Sequence, residues 1–399
     1  MKVRKGVFGA VLLLCATLCM TNVTALADDG THTHPICGTT HTDIGDHTGE
    51  CADVVWTAWN GTSDIDYGDD NTAYVYLSDN AERSEQFAVK DGKTLYLCLN
   101  GYSITRTTDS TDAFDAVIRV YGDAQLVLCD CKGSGTITHS AGVYGRGVRL
   151  GDSSSTGDFI MYGGEISGNS IDISAHSAAA GDGAGVEAQQ SDFTMYGGKI
   201  TNNHVIKGSN NEGGGVNMHT GGGVISAGTY LKLYGGTISN NTADKRGGGV
   251  FTNMTLTISD GITITGNKSE QGGGIYTYDE DITINGGNIT GNTATYGGGV
   301  YHIGDYRTCD TLTISGSATI TGNTATDGGG VYVESGKNTS NWNKGQGALQ
   351  INGGSITNNT ATGNGGGVYI NERGLLTITG GNVTDNTATV NGGGVYFNG

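Results

Sequence analysis

Residues Ile282 to Tyr301 read I-T-I-N-G-G-N-I-T-G-N-T-A-T-Y-G-G-G-V-Y. Two apolar side chains flank one polar residue, a Gly-Gly step leads into Ile289-Thr290-Gly291-Asn292, and three glycines deliver the chain to Val300-Tyr301. Alternation with period two marks strands that bury one face. Each run is too short to make a sheet alone, so it must stack on copies of itself.

The copies are present. The leading apolar pair recurs as Leu95/Leu97, Leu126/Leu128, Phe159/Met161, Phe193/Met195, Leu231/Leu233, Leu256/Ile258, Ile282/Ile284, Leu312/Ile314, Leu349/Ile351 and Leu376/Ile378, at spacings of 25 to 38 residues. A fixed repeat of this length is the signature of a solenoid, and the spacing is one coil plus variable loops. The expected fold is all-β: a single-stranded parallel β-helix of about ten coils, right-handed by the crossover rule for parallel strands.

Asn169, Asn203, Asn241, Asn267, Asn292, Asn323, Asn359 and Asn386 share one place in the module. Asparagine tolerates the left-handed conformation of a tight bend, and stacked amides bond along an axis. These residues are therefore read as corners, not as catalysts. The glycine runs Gly247–Gly249, Gly272–Gly274, Gly297–Gly299, Gly328–Gly330, Gly365–Gly367 and Gly392–Gly394 precede the third strand. Glycine permits positive φ and close backbone approach there. No helix follows to complete a phosphate-binding loop, and no regularly placed Asp supplies a calcium nonapeptide.

The residue after the inward Val or Ile of the third strand should point outward. That column is Arg119, Arg149, Glu187, Asn217, Phe251, Tyr276, Tyr301, Tyr332, Tyr369 and Tyr396. Its aromatic members should stack as a ribbon, which by itself stabilises a sheet. If exposed, Phe251, Tyr276, Tyr301, Tyr332, Tyr369 and Tyr396, bordered by Trp342, would offer a platform to a glycan or protein.

The N-terminus carries Lys2, Arg4 and Lys5, an apolar run from Val7 to Met20 and a small-x-small site at Ala25-Leu26-Ala27, the pattern of a cleaved signal peptide over 1–27. The expected location is secreted or cell-surface, with no later apolar run long enough to span a membrane. Losing that leader takes the formal charge from −18 to −21, which disfavours nucleic acid and anionic membrane as partners. Export permits disulfides. Cys98 and Cys129 both follow the inner pair by one residue, so they should stack on adjacent coils within disulfide reach, with Cys131 as a competing partner.

The combination of Ile-Thr-x-Asn-x-Ala with Gly-Gly-Gly-Val-Tyr resembles the repeats of polymorphic outer membrane proteins and of other right-handed β-helix surface proteins, over roughly Gly92 to Gly399. The resemblance implies a bacterial adhesin-like or passenger-type surface protein. The chain departs from that family in lacking a C-terminal β-barrel. It stops at Tyr396-Phe397-Asn398-Gly399, directly after a third strand, so a truncated repeat array over 91–399 is the expectation.

Residues 28–90 differ in composition. His32, His34, Cys37, His41, His47 and Cys51 are zinc-type donors, but their spacing fits no known finger, and a Cys37–Cys51 disulfide or a flexible leader is preferred. Trp56, Trp59 and Ala73 to Leu77 are expected to cap the first coil. Asp64, Asp66, Asp69 and Asp70 lack the order of a calcium loop and read as a solvated acidic stretch.

β-Helices also include polysaccharide lyases and glycoside hydrolases, which need convergent acids. Glu165 and Glu187 are isolated, and Asp260, Asp279, Glu280 and Asp281 are scattered around turns. Threonine arrays of the ice-binding type are interrupted by Tyr162, Tyr196 and Tyr234. The preferred reading is a non-catalytic β-helix that binds a glycan or surface protein without a cofactor; the alternative is a carbohydrate-active enzyme. Oligomeric state is not legible.

Overall fold

The computed structural model describes residues 32–33, 40–41, 56–109, 115–152, 154–172, 183–206, 213–219, 230–278, 280–304, 310–335 and 347–399. The expected signal peptide, Trp342 and Cys309, and His34, Cys37, His47 and Cys51 lie outside them. Of the leader's histidines, His32 and His41 are placed only as backbone partners in a short antiparallel pair.

From Thr57 onward each named strand pairs in parallel with its counterpart one coil away. The inner pairs are in register, as in Leu95↔Leu126, Leu256↔Ile282 and Ile282↔Leu312. Third-run strands form an 11-stranded sheet, from Phe87–Val89 to Val395–Phe397. The protein is a parallel β-helix, and one continuous hydrophobic cluster fills its interior from Trp59 to Ile370.

The array starts earlier than position 91. Thr72–Leu77, Ala81–Arg83 and Phe87–Val89 make a regular coil, with Ala73↔Leu95, Ala81↔Ile104 and Phe87↔Ile118 in register. Its small inner residue Ala73 and the absence of the Gly-Gly and Asn signatures hid it in the sequence. Trp59 does join the end of the core, packing at a tilt on Phe87 with ring centres 4.8 Å apart, whereas Trp56 lies on the outer wall against Tyr74, Cys98 and Cys129.

The asparagines form a buried ladder along the axis. Asn267 Nδ2 and the Asn267 amide both donate to Asn292 Oδ1, at 3.0 and 2.9 Å, and Asn292 repeats this to Asn323. The left-handed residue of the bend is not the ladder asparagine. It is the residue before it: Gly168, Asn202, Asn240, Gly266, Gly291, Gly322, Asn358 and Asp385 all have positive φ. The glycine triplets divide their work similarly. Gly297 supplies a φ of 66°, and a Cβ on Gly298 would sit 2.5 Å from the Gly329 carbonyl oxygen of the next coil.

His139 stands at the foot of this ladder, its Nδ1 2.8 Å from Asn169 Oδ1. Burial lowers its pKa to about 4 in spite of that bond, and burial also lowers His302 and His204. An unfolded imidazole takes up its proton near pH 6.5, whereas the folded one stays neutral until about pH 4. Stability is therefore fully present above the unfolded value and is lost as pH falls through that window, by at most about 3 kcal/mol for His139. Thermal midpoints measured from about pH 6.5 down to 5 should fall, and His139→Gln should flatten the slope. A slope unchanged in that variant refutes the assignment.

Candidate functional site

The expected aromatic column exists. Phe251, Tyr276, Tyr301, Tyr332 and Tyr369 stack with ring centroids 4.6 to 5.3 Å apart and planes within 9° of parallel, and Tyr396 continues it tilted by 39°. It is not an exposed platform. Tyr301 is 2% and Tyr369 8% exposed, and Tyr296 and Ile303 pack against the stack. Each internal ring has both faces occupied by its neighbours and its edge covered as well, which leaves nothing open to a sugar. Tyr301 donates a hydrogen bond to the Glu334 carboxylate, and burial followed by that carboxylate pushes its pKa far up. At Phe251, Tyr276, Tyr301, Tyr332 and Tyr369 burial goes against the expected ligand platform, and these rings act as a structural rib, whereas Tyr396 is half-buried.

Below the rib the same column turns polar: Arg149, Glu187 and Asn217 are buried and Arg119 is half-buried. Glu187 is fully buried between Arg146 and Arg149, pairing with both, and Arg149 also donates to Gln189 Oε1 at 3.1 Å. Glu187 thus neutralises two interior guanidinium groups and is shut off from any external substrate.

A second aromatic column, on another wall, is open to solvent at its central ring and half-buried at the other two. Tyr162, Tyr196 and Tyr234 follow the inner pairs Phe159/Met161, Phe193/Met195 and Leu231/Leu233, and stack at 5.0 and 5.3 Å. Tyr196 is 47% exposed, and Tyr230, earlier on the strand that carries Tyr234, is 37% exposed with Lys232 Nζ 4.7 Å from its ring centre. The recurring Met/Leu-Tyr-Gly-Gly carried this signal in the sequence, where these rings counted only as breaks in a threonine array.

The acids scatter. Asp260 bonds Ser317 at one end of a first-run strand, while Asp281 accepts from the Thr311 amide at the other end, 2.8 Å away. The strand between them keeps Asp260 from meeting Glu280 and Asp281. Burial, then Asp310 and Asp281, push the Glu280 carboxyl pKa up. Asp64, Asp66, Asp69 and Asp70 are exposed, and Asp66 and Asp70 cap turns at Gly68 and Thr72. Glu165 lies opposite Lys199 on the neighbouring coil.

Cys98 and Cys129 are register partners. Both are buried on the outer wall rather than exposed, and both carry thiols, as does Cys131. Burial, then hydrogen bonds with Cys131 and Cys98, push the Cys129 thiol pKa well up.

The Chlamydia polymorphic membrane protein (Chlamydia_PMP) repeat matches residues 261–278. That span holds Ile262-Thr263-Ile264, the ladder residue Asn267, the bend Gly272–Gly274 and Ile275-Tyr276, so the match falls on one module of the helix. The repeats of this chain resemble those of that family. No curated protein and no solved structure matches the chain.

Proposed function

We propose that the chain is a non-catalytic, adhesin-like β-helix at the cell surface or secreted, which holds a glycan or a surface protein against its tyrosine wall. The observation that carries this reading is Tyr196, 47% exposed at the centre of a stacked column between half-buried Tyr162 and Tyr234, with exposed Tyr230 earlier on the same strand as Tyr234. Solvent-facing aromatics grouped on a rigid support are the usual material of contact surfaces. The matched polymorphic membrane protein repeat and the signal-like N-terminus support a place outside the cytoplasm.

The test is binding of the purified chain to cell surfaces and to a glycan array. Tyr196→Ser combined with Tyr230→Ser should weaken binding at least about tenfold, the equivalent of ~1.4 kcal/mol, with circular dichroism unchanged. Retained binding in that folded variant removes the tyrosine wall as the contact surface.

One observation favours catalysis instead. A carboxyl with raised pKa near other acids, as at Glu280 beside Asp281 and Asp310, is the state a glycosidic general acid requires. Release of reducing ends from polysaccharides, abolished by Glu280→Gln, would establish that reading.

A further inference from the structure

Three cysteines meet on the outer wall near the N-terminal end of the helix. Cys98 and Cys129 are opposite one another on adjacent coils, and Cys131 returns to them after one intervening residue. Their three sulfurs lie within 4.8 Å of one another, with Cys98 Sγ 3.3 Å from Cys131 Sγ. A triangle with no side above 4.8 Å has a point within about 2.8 Å of all its corners, close to the ~2.3 Å of a zinc–thiolate bond.

The surroundings hold this triangle in place. Asp130, between the two later cysteines, accepts from the Gly101 amide at 2.7 Å and the Lys132 amide at 3.3 Å through Oδ1, and from the Gly135 amide at 2.6 Å through Oδ2. Its carboxylate fixes the bend that turns Cys131 back toward Cys98, and with its oxygens committed to backbone amides it acts as a positioning residue. The Leu99 amide donates to the Cys129 carbonyl at 2.9 Å and ties the two coils together at the same point. Trp56, Tyr74, Tyr76, Tyr96 and Tyr162 pack with the cysteines. Cys98 and Cys129 are fully buried, while Cys131 is partly open to solvent.

We propose that Cys98, Cys129 and Cys131 form a binding site for one thiophilic divalent cation of the zinc class, with its fourth position open to solvent on the Cys131 side. Soft sulfur donors select such ions, and three converging sulfurs with one open position match the ligand count of an open zinc site. A disulfide would engage only two of the three sulfurs. Binding converts three thiols to thiolates and releases three protons to solvent, with no change of oxidation state. Because the ligands come from two coils, the ion clamps those coils together.

The experiment uses the full chain without its leader, with Cys37, Cys51 and Cys309 replaced by Ser, reduced and then freed of reductant under argon. Titration with Co2+ should give a thiolate-to-metal charge-transfer band that saturates at one equivalent, and Zn2+ should displace it. Cys98→Ser, Cys129→Ser and Cys131→Ser should each abolish the band, and Asp130→Asn should weaken binding by about tenfold as loss of a supporting contact does. A second arm maps thiols in protein secreted in the presence of Zn2+, where all three should be recovered as thiols after chelation. The proposal is overturned by no band at saturating Co2+ in chain whose circular dichroism is native, by a band that survives Cys131→Ser, or by a disulfide from Cys98 to either neighbour in the zinc-grown protein.

Discussion

Glu187→Ala should lower the unfolding free energy by about 3–5 kcal/mol, the usual result of removing one partner from a buried charge cluster. Arg146, Arg149 and Glu187 are all inaccessible to water, and the carboxylate pairs with both guanidinium groups. Its removal leaves two buried positive charges without their carboxylate, while Arg149 keeps its bond to Gln189. Replacing all three charged residues with apolar ones of similar volume should recover most of the loss, because desolvation is then avoided rather than uncompensated. Denaturant unfolding of the single and triple variants tests both statements; equal losses in the two would show that packing, not charge, sets the cost.

Asn292→Ala should cost about 3 kcal/mol or more, since several buried groups each lose a partner worth roughly 1–3 kcal/mol. The Asn267 amide and Asn267 Nδ2 both donate to Asn292 Oδ1, and Asn292 Nδ2 donates to the Ile264 carbonyl. One truncation thus takes the acceptor from the buried Asn267 amide and one of two acceptors from Asn267 Nδ2, which keeps the Ile238 carbonyl, and removes a donor from the Ile264 carbonyl. Thr290→Ala, two residues earlier and pointing out of the core, is the control and should change stability by no more than about 0.5 kcal/mol. In a solenoid each coil touches only its neighbours, so hydrogen exchange should accelerate first in the coils on either side of position 292. Uniform acceleration along the whole rod would refute a local role for the ladder.

The aromatic rib shows how a correct register leads to a wrong surface. The alternation of each third strand puts Phe251 through Tyr396 in one outward column, and the pairings Tyr276↔Tyr301 and Tyr332↔Tyr369 follow it. Whether an outward ring is wet depends on what the neighbouring bends lay over it. Tyr296 enters from a different run of the coil and meets Tyr332 edge-on at 5.6 Å, and Arg246 sits 5.5 Å from the ring centre of Tyr276. Period-two alternation separates inside from outside; it carries nothing about such contacts.

The parallel β-helix, its inner pairs, the asparagine ladder and the glycine bends are legible in the order of amino acids, because every module states the same local constraint and stacking repeats it at each coil. Tertiary structure decided which left-handed residue precedes each ladder asparagine, and that Thr72–Val89 is already a coil although its apolar residues lack the module's punctuation. It also decided that Glu187 is enclosed by arginines, that Tyr196 is open while Tyr301 is covered, and that Cys131 joins Cys98 and Cys129. Each of these depends on where a bend of irregular length places a side chain against a neighbouring coil, and the distance along the chain does not encode that position.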